Sequence, residues 1–176
     1  MVAADPFFLV FRFLHIMAGV LWVGSAFLFV GFIGPSAAEV GPSSMPLLTV
    51  AVKKRKVAKV ITTLGWITVV AGWALWFKDM SDFGGLGDWL DTSFGKVLTV
   101  GGILATITAF VGMIGVGRNV ERLVDLGGEI AAGGGPPTPE QQTRMDTIGS
   151  ALERHGKTDL VLLLLAVTAM ATARYW

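Results

Sequence analysis

The chain has 176 residues, of which 53% are hydrophobic and 15% charged, against roughly 25% charged in ordinary soluble domains. Its formal net charge is +1 and it contains no cysteine. This balance offers nucleic acid no basic face, and the lack of cysteine removes disulfides, thiolate metal sites and c-type haem attachment. The class that remains is a single integral membrane domain over 1–176, multi-pass in the inner (plasma) membrane, with the lipid bilayer as its first partner.

In chain order, the opening residues Met1-Val2-Ala3-Ala4-Asp5-Pro6 lack the basic stretch of a cleavable signal. The apolar run after them is too long for one, so the first helix is expected to stay in the mature protein. Transmembrane helices are predicted over about 6–35, 57–77, 96–118 and 158–176, each near the roughly 20 residues that cross a hydrocarbon core about 30 Å thick. Glycines punctuate them: Gly19, Gly24 and Gly31 in the first, Gly65 and Gly72 in the second, Gly101, Gly102, Gly112 and Gly115 in the third. Small residues let membrane helices approach closely, which predicts an all-α four-helix bundle.

Lys53, Lys54, Arg55, Lys56 and Lys59 lie between the first and second helices, and short cytoplasmic connections carry such an excess of Lys and Arg. Asp79, Asp82, Asp88 and Asp91 follow the second helix, with Lys78 at its end, and belong outside. Both termini are therefore expected on the outer side, periplasmic or extracellular. The stretch 119–157 becomes a cytoplasmic loop. Within it the third helix is prolonged to about residue 132, Gly133-Gly134-Gly135-Pro136-Pro137 interrupts, and 139–154 forms an amphipathic helix leading into the fourth span. Pro139 suits a first helical position after Thr138 as N-cap. Trp89 in the outer loop, with Trp76 and Trp176, fits an interfacial aromatic belt at the headgroup level.

Of the two histidines, His15 lies within the first apolar run. An ionisable side chain at membrane depth is costly unless it faces protein and has a partner, so His15 is a functional candidate by position. Residues at i, i+4 and i+7 share a helix face, which aligns His15 with Gly19 and Trp22. Gly19 leaves a gap beside the imidazole, Trp22 closes it, and a flat macrocycle fits there with His15 as the metal ligand. The competing expectation is that His15 hydrogen-bonds a neighbouring helix and Gly19 serves close packing. Arg12, one turn earlier, suits a haem propionate or an anionic substrate, or else snorkels to headgroups. Met17 points away from His15. Lys96 opens the third helix on the same outer side as His15, either reaching toward it along its stem or snorkelling. His155, in Arg154-His155-Gly156-Lys157, is expected near the inner surface as a solvated residue, too far along the membrane normal to share one iron with His15.

The pattern His15-x-x-Ala18-Gly19-x-x-Trp22-x-Gly24 resembles the opening helix of the membrane domain of bacterial membrane-bound urate oxidases. The shorter His15-x6-Trp22 spacing is similar to that of the membrane protoporphyrinogen IX oxidase family and the copper-resistance protein D family, as is Lys96 followed by an apolar helix ending in Arg118-Asn119. The likeness is strongest over 11–31 and weaker over 53–72 and 96–119. It implies haem b bound at His15, with Lys96 at the same site. The chain lacks the Leu-Pro-Arg and Tyr-His run of the oxidase family, the methionine and histidine richness of a copper transporter, and the additional helices and cytochrome domain of the urate enzymes. The resemblance therefore implies the fold further than the reaction.

The function expected first is a haem b protein of electron transfer or a redox-associated membrane subunit, with a quinone or a redox membrane protein as partner and assembly as a homo- or hetero-oligomer. Three others stand beside it. They are porphyrinogen oxidation with Arg12 and Lys96 holding substrate carboxylates, copper handling, and a structural accessory subunit of a larger membrane complex without cofactor.

Overall fold

Long apolar stretches with few internal breakers form helices because every backbone polar group is then satisfied within the segment. The computed structural model describes residues 5–176, and there the first stretch runs as α1 (Pro6–Leu28), a π-helical turn (Phe29–Ile33), α2 (Gly34–Val40), a 3-10 turn (Gly41–Ser44), α3 (Met45–Thr49) and a second π-helical turn (Val50–Lys54). Helical structure expected to stop near residue 35 instead goes on in short segments, broken at Gly41, to Lys54. Pro35, Pro42 and Pro46 each occupy the first turn of their short segment, where the missing N–H would be unpaired anyway. Gly41 turns the run at φ 69°, a conformation glycine adopts without strain. The basic connection shrinks to Arg55 and Lys56, with Lys56 itself at φ 55°.

After it come α4 (Val57–Asp82), the short α5 (Leu86–Asp91), α6 (Ser93–Val111), a third π-helical turn (Gly112–Gly117), α7 (Arg118–Ala132) and α8 (Pro139–Thr172), closed by a 3-10 turn (Ala173–Tyr175). The amphipathic segment at Pro139 and the fourth span are thus one helix of 34 residues. Its start is set by a reciprocal cap. The Gln141 N–H donates to Thr138 Oγ1 at 3.2 Å while the Thr138 N–H donates to Gln141 Oε1 at 2.9 Å, the two-way arrangement of a capping box.

Four runs, Pro6–Lys54, Val57–Asp82, Ser93–Ala132 and Pro139–Tyr175, are long and apolar enough to cross a bilayer. Their burial is inverted relative to a water-soluble protein. Large apolar side chains such as Leu9, Phe13, Val20 and Val70 are more than half exposed, while Ala18, Ala71, Ala109 and Ala166 are enclosed. Lipid as the outer solvent accounts for both, since small residues gain by close helix packing and large ones lose nothing by facing hydrocarbon. The protein is a multi-pass membrane protein.

The chain divides into two units, the first comprising the residues up to Val23 with Thr63–Ala109 and Val161–Trp176, the second Gly24–Thr62 with Phe110–Leu160. In the first, Trp73 Nε1 donates to Thr106 Oγ1 at 3.0 Å and Trp76 Nε1 to Thr99 Oγ1 at 2.8 Å, tying α4 to α6. Trp89 is 1% exposed. The rings of Trp76, Phe83 and Phe94 meet it edge to face, so it is a core residue rather than one facing headgroups. In the second unit, Lys53 pairs with Asp125 at 2.6 Å and Leu126 of α7 is 1% exposed.

Candidate functional site

His15, Gly19 and Trp22 share one face of α1, and within the first unit that face meets α4. The pairing is antiparallel and in register. His15 lies on Gly72, Gly19 on Thr68 and Trp22 on Gly65, so each helix sets large residues against small ones of the other. A Cβ on Gly72 would stand 2.8 Å from Cε1 and 2.9 Å from Nδ1 of His15, and one on Gly65 2.9 Å from Cε2 of Trp22. Neither position accepts a side chain unless a ring moves.

Thr68 completes the seam. Its hydroxyl donates to the Leu64 carbonyl at 2.8 Å, the back-bond usual for a helical threonine. Its methyl Cγ2 then lies 3.4 Å from where a Cβ of Gly19 would be, and the gap expected beside Gly19 is occupied by Thr68. The Thr68 carbonyl is 2.8 Å from His15 Nδ1. A carbonyl only accepts, so Nδ1 carries the hydrogen and, in the neutral ring, Nε2 carries the lone pair. Gly72 follows Thr68 by about one turn and so lies above that carbonyl. Its missing side chain is what allows the imidazole to reach the backbone.

The structure brings together three of the five residues singled out in the sequence. His15 is half-buried and Trp22 is 4% exposed. Arg12 and Lys96 are both exposed, and neither hydrogen-bonds to His15 among the described residues. The Arg12 guanidinium lies 5.8 Å from the Phe8 ring centroid and within electrostatic reach of Asp79. Lys96 stands in the first turn of α6. The partners supplied by α4, Gly65, Thr68 and Gly72, were legible only as a small-residue spacing of seven that matches His15 to Trp22.

Among the described residues no three His, Cys, Asp or Glu side chains converge to hold a metal ion. A metal held at His15 would therefore have fewer than three such side chains to draw on, a number that suits a porphyrin, with four nitrogens of its own, better than a bare copper ion, which takes several protein donors.

Comparisons with protein-family models, with curated proteins and with solved structures find no match.

The second unit holds a further polar group. His155 is half-buried rather than solvated, with its Cγ 2.8 Å and Nδ1 3.0 Å from where a Cβ of Gly115 would be. One turn on, Asp159 is 5% exposed. Its Oδ1 has no hydrogen-bond partner among the described residues and lies 3.2 Å from the corresponding point on Gly112. Asp159 is a residue that the sequence signals only as a lone carboxylate directly before Leu160-Val161-Leu162-Leu163-Leu164-Leu165.

Proposed function

We propose that the protein is a haem b-binding membrane protein acting in electron transfer or as a redox-associated subunit, in which His15 would hold the haem through Nε2. The observation that carries this reading is the His15 Nδ1–H bond to the Thr68 carbonyl. Metal-ligating histidines usually donate their other ring nitrogen to such an acceptor, which fixes the tautomer and raises the basicity of the ligand. Bound haem supplies one-electron chemistry, with a potential tuned by its ligands and by burial. The chain's own part is to hold the imidazole in one orientation through Thr68 and Gly72, and to keep water from the seam with Trp22. Arg12 and Lys96 offer exposed cations for propionates, for substrate carboxylates or for headgroups. A quinone or a second redox protein in the membrane is the exchange partner this reading calls for. The cluster Lys53 to Lys59 supports a cytoplasmic first connection, with both termini outside and the plasma membrane as location.

The experiment is a haem assay on purified protein. A stoichiometric b-type haem, with a reduced-minus-oxidised band, is the expected result, and protein free of pigment after haem supplementation rejects the reading.

One observation favours a second reading. The interdigitated register of His15 on Gly72, Gly19 on Thr68 and Trp22 on Gly65 is complete without a cofactor, as an accessory subunit packed through its glycine faces requires. Pigment-free protein that co-purifies with a larger membrane complex is the outcome that selects it.

A further inference from the structure

A carboxylate removed from water is costly unless it is paired, neutralised or bound to a cation. Asp159 meets that condition with few neighbours able to help. It is 5% exposed and its Oδ1 is unpartnered among the described residues. Gly112 of the π-helical turn Gly112–Gly117 faces it and brings no side chain. Gly156, on the intervening turn of α8, faces Val30. The titratable group aligned with it is His155, four residues earlier and on the same helix face. His155 packs on Gly115 of the same π-helical turn, and the Gly115 carbonyl accepts from Asn119 Nδ2 at 2.7 Å. The charged residues around His155 on α8 point away: Arg154 is exposed, and Lys157 is paired with Glu153 at 2.5 Å. Arg118, which follows the π-helical turn, is exposed as well. Single π-helical turns within α-helices are frequent at functional sites.

We propose that Asp159 and His155 form a proton-exchange pair in the second unit, with Asp159 the buried acceptor and His155 the group that passes its proton to and from the exposed polar end of α8. The step balances as one proton. A protonated His155 gives it up, the Asp159 carboxylate becomes a carboxyl, and the neutral imidazole takes the next proton from water at the exposed turn. The half-buried ring thus lies one turn from the enclosed acceptor on the same helix face, a separation that one water can bridge. This inference does not rest on haem at His15.

Infrared difference spectroscopy of the full chain in nanodiscs, recorded as pH is stepped, tests it. The expected result is a carboxylic C=O band that rises as pH falls, is lost in Asp159→Asn, and is shifted but kept in Asp159→Glu. In His155→Gln the band persists, while its response to a pH jump slows by at least about tenfold, as expected on losing a positioned proton carrier. A band unaffected by Asp159→Asn, no such band in the wild-type protein at any pH, or a band governed by sodium concentration instead of pH overturns the proposal. An unslowed response in His155→Gln removes His155 from it.

Discussion

Gly72→Ala is expected to break the hydrogen bond between His15 and Thr68 and to lower stability by about 1–3 kcal/mol, the usual range for an overpacked interior position. The new methyl would stand 2.8–2.9 Å from two ring atoms of His15, closer than carbon and nitrogen tolerate. The ring must withdraw, and withdrawal breaks the bond at Nδ1. Two measurements check this. The midpoint of unfolding in mixed detergent should fall, and nitrogen NMR of labelled His15 should show that Nδ1 no longer holds its hydrogen in a single tautomer. If haem is bound at Nε2, the same substitution should weaken its retention although residue 72 need not touch the porphyrin. An unchanged tautomer and midpoint would show that α1 and α4 are not in this register.

Gly65→Leu should have an effect of similar or larger size at the other end of the seam. Trp22 is 4% exposed and its ring covers Gly65, so an isobutyl group there cannot coexist with the indole. The single variant should lose about 2–4 kcal/mol, as should Trp22→Ala, which opens a cavity instead. The informative protein is the double variant, Gly65→Leu with Trp22→Ala. There the isobutyl group fills space left by the lost indole and should recover part of the deficit, with a coupling of about 0.5–3 kcal/mol between the two sites. Simple additivity of the two losses, read from detergent unfolding, would mean that Trp22 and Gly65 do not touch.

Much of this was legible in the sequence, for reasons that differ by element. The spans followed from length and hydropathy, and Thr138 as N-cap with Pro139 in the first helical position set the start of α8. The alignment of His15, Gly19 and Trp22 needed only helical periodicity. The helical segments that go on to Lys54 are hidden because proline reads as a stop, whereas Pro35, Pro42 and Pro46 lie in first turns where it does no harm. Trp89 reads as interfacial because it stands beside Asp88 and Asp91, whereas the turn of the chain between α4 and α6 sets Trp76, Phe83 and Phe94 around its ring. The partner of His15 was illegible for a simpler reason. It is a backbone carbonyl, which every residue has, and only the glycine four positions later marks it. From sequence His155 reads as solvated because Gly115, which receives its ring, lies forty residues earlier.

The role of His15 is tested most directly by the reduced-minus-oxidised absorption spectrum of the wild-type protein beside those of His15→Ala and His155→Ala, each purified with haem supplied during expression. The expected result is a b-type band in the wild-type and His155→Ala proteins and its loss in His15→Ala, with part of it restored by added imidazole. A band that survives His15→Ala unchanged, or a wild-type protein with none, would contradict the assignment of His15 as a haem ligand.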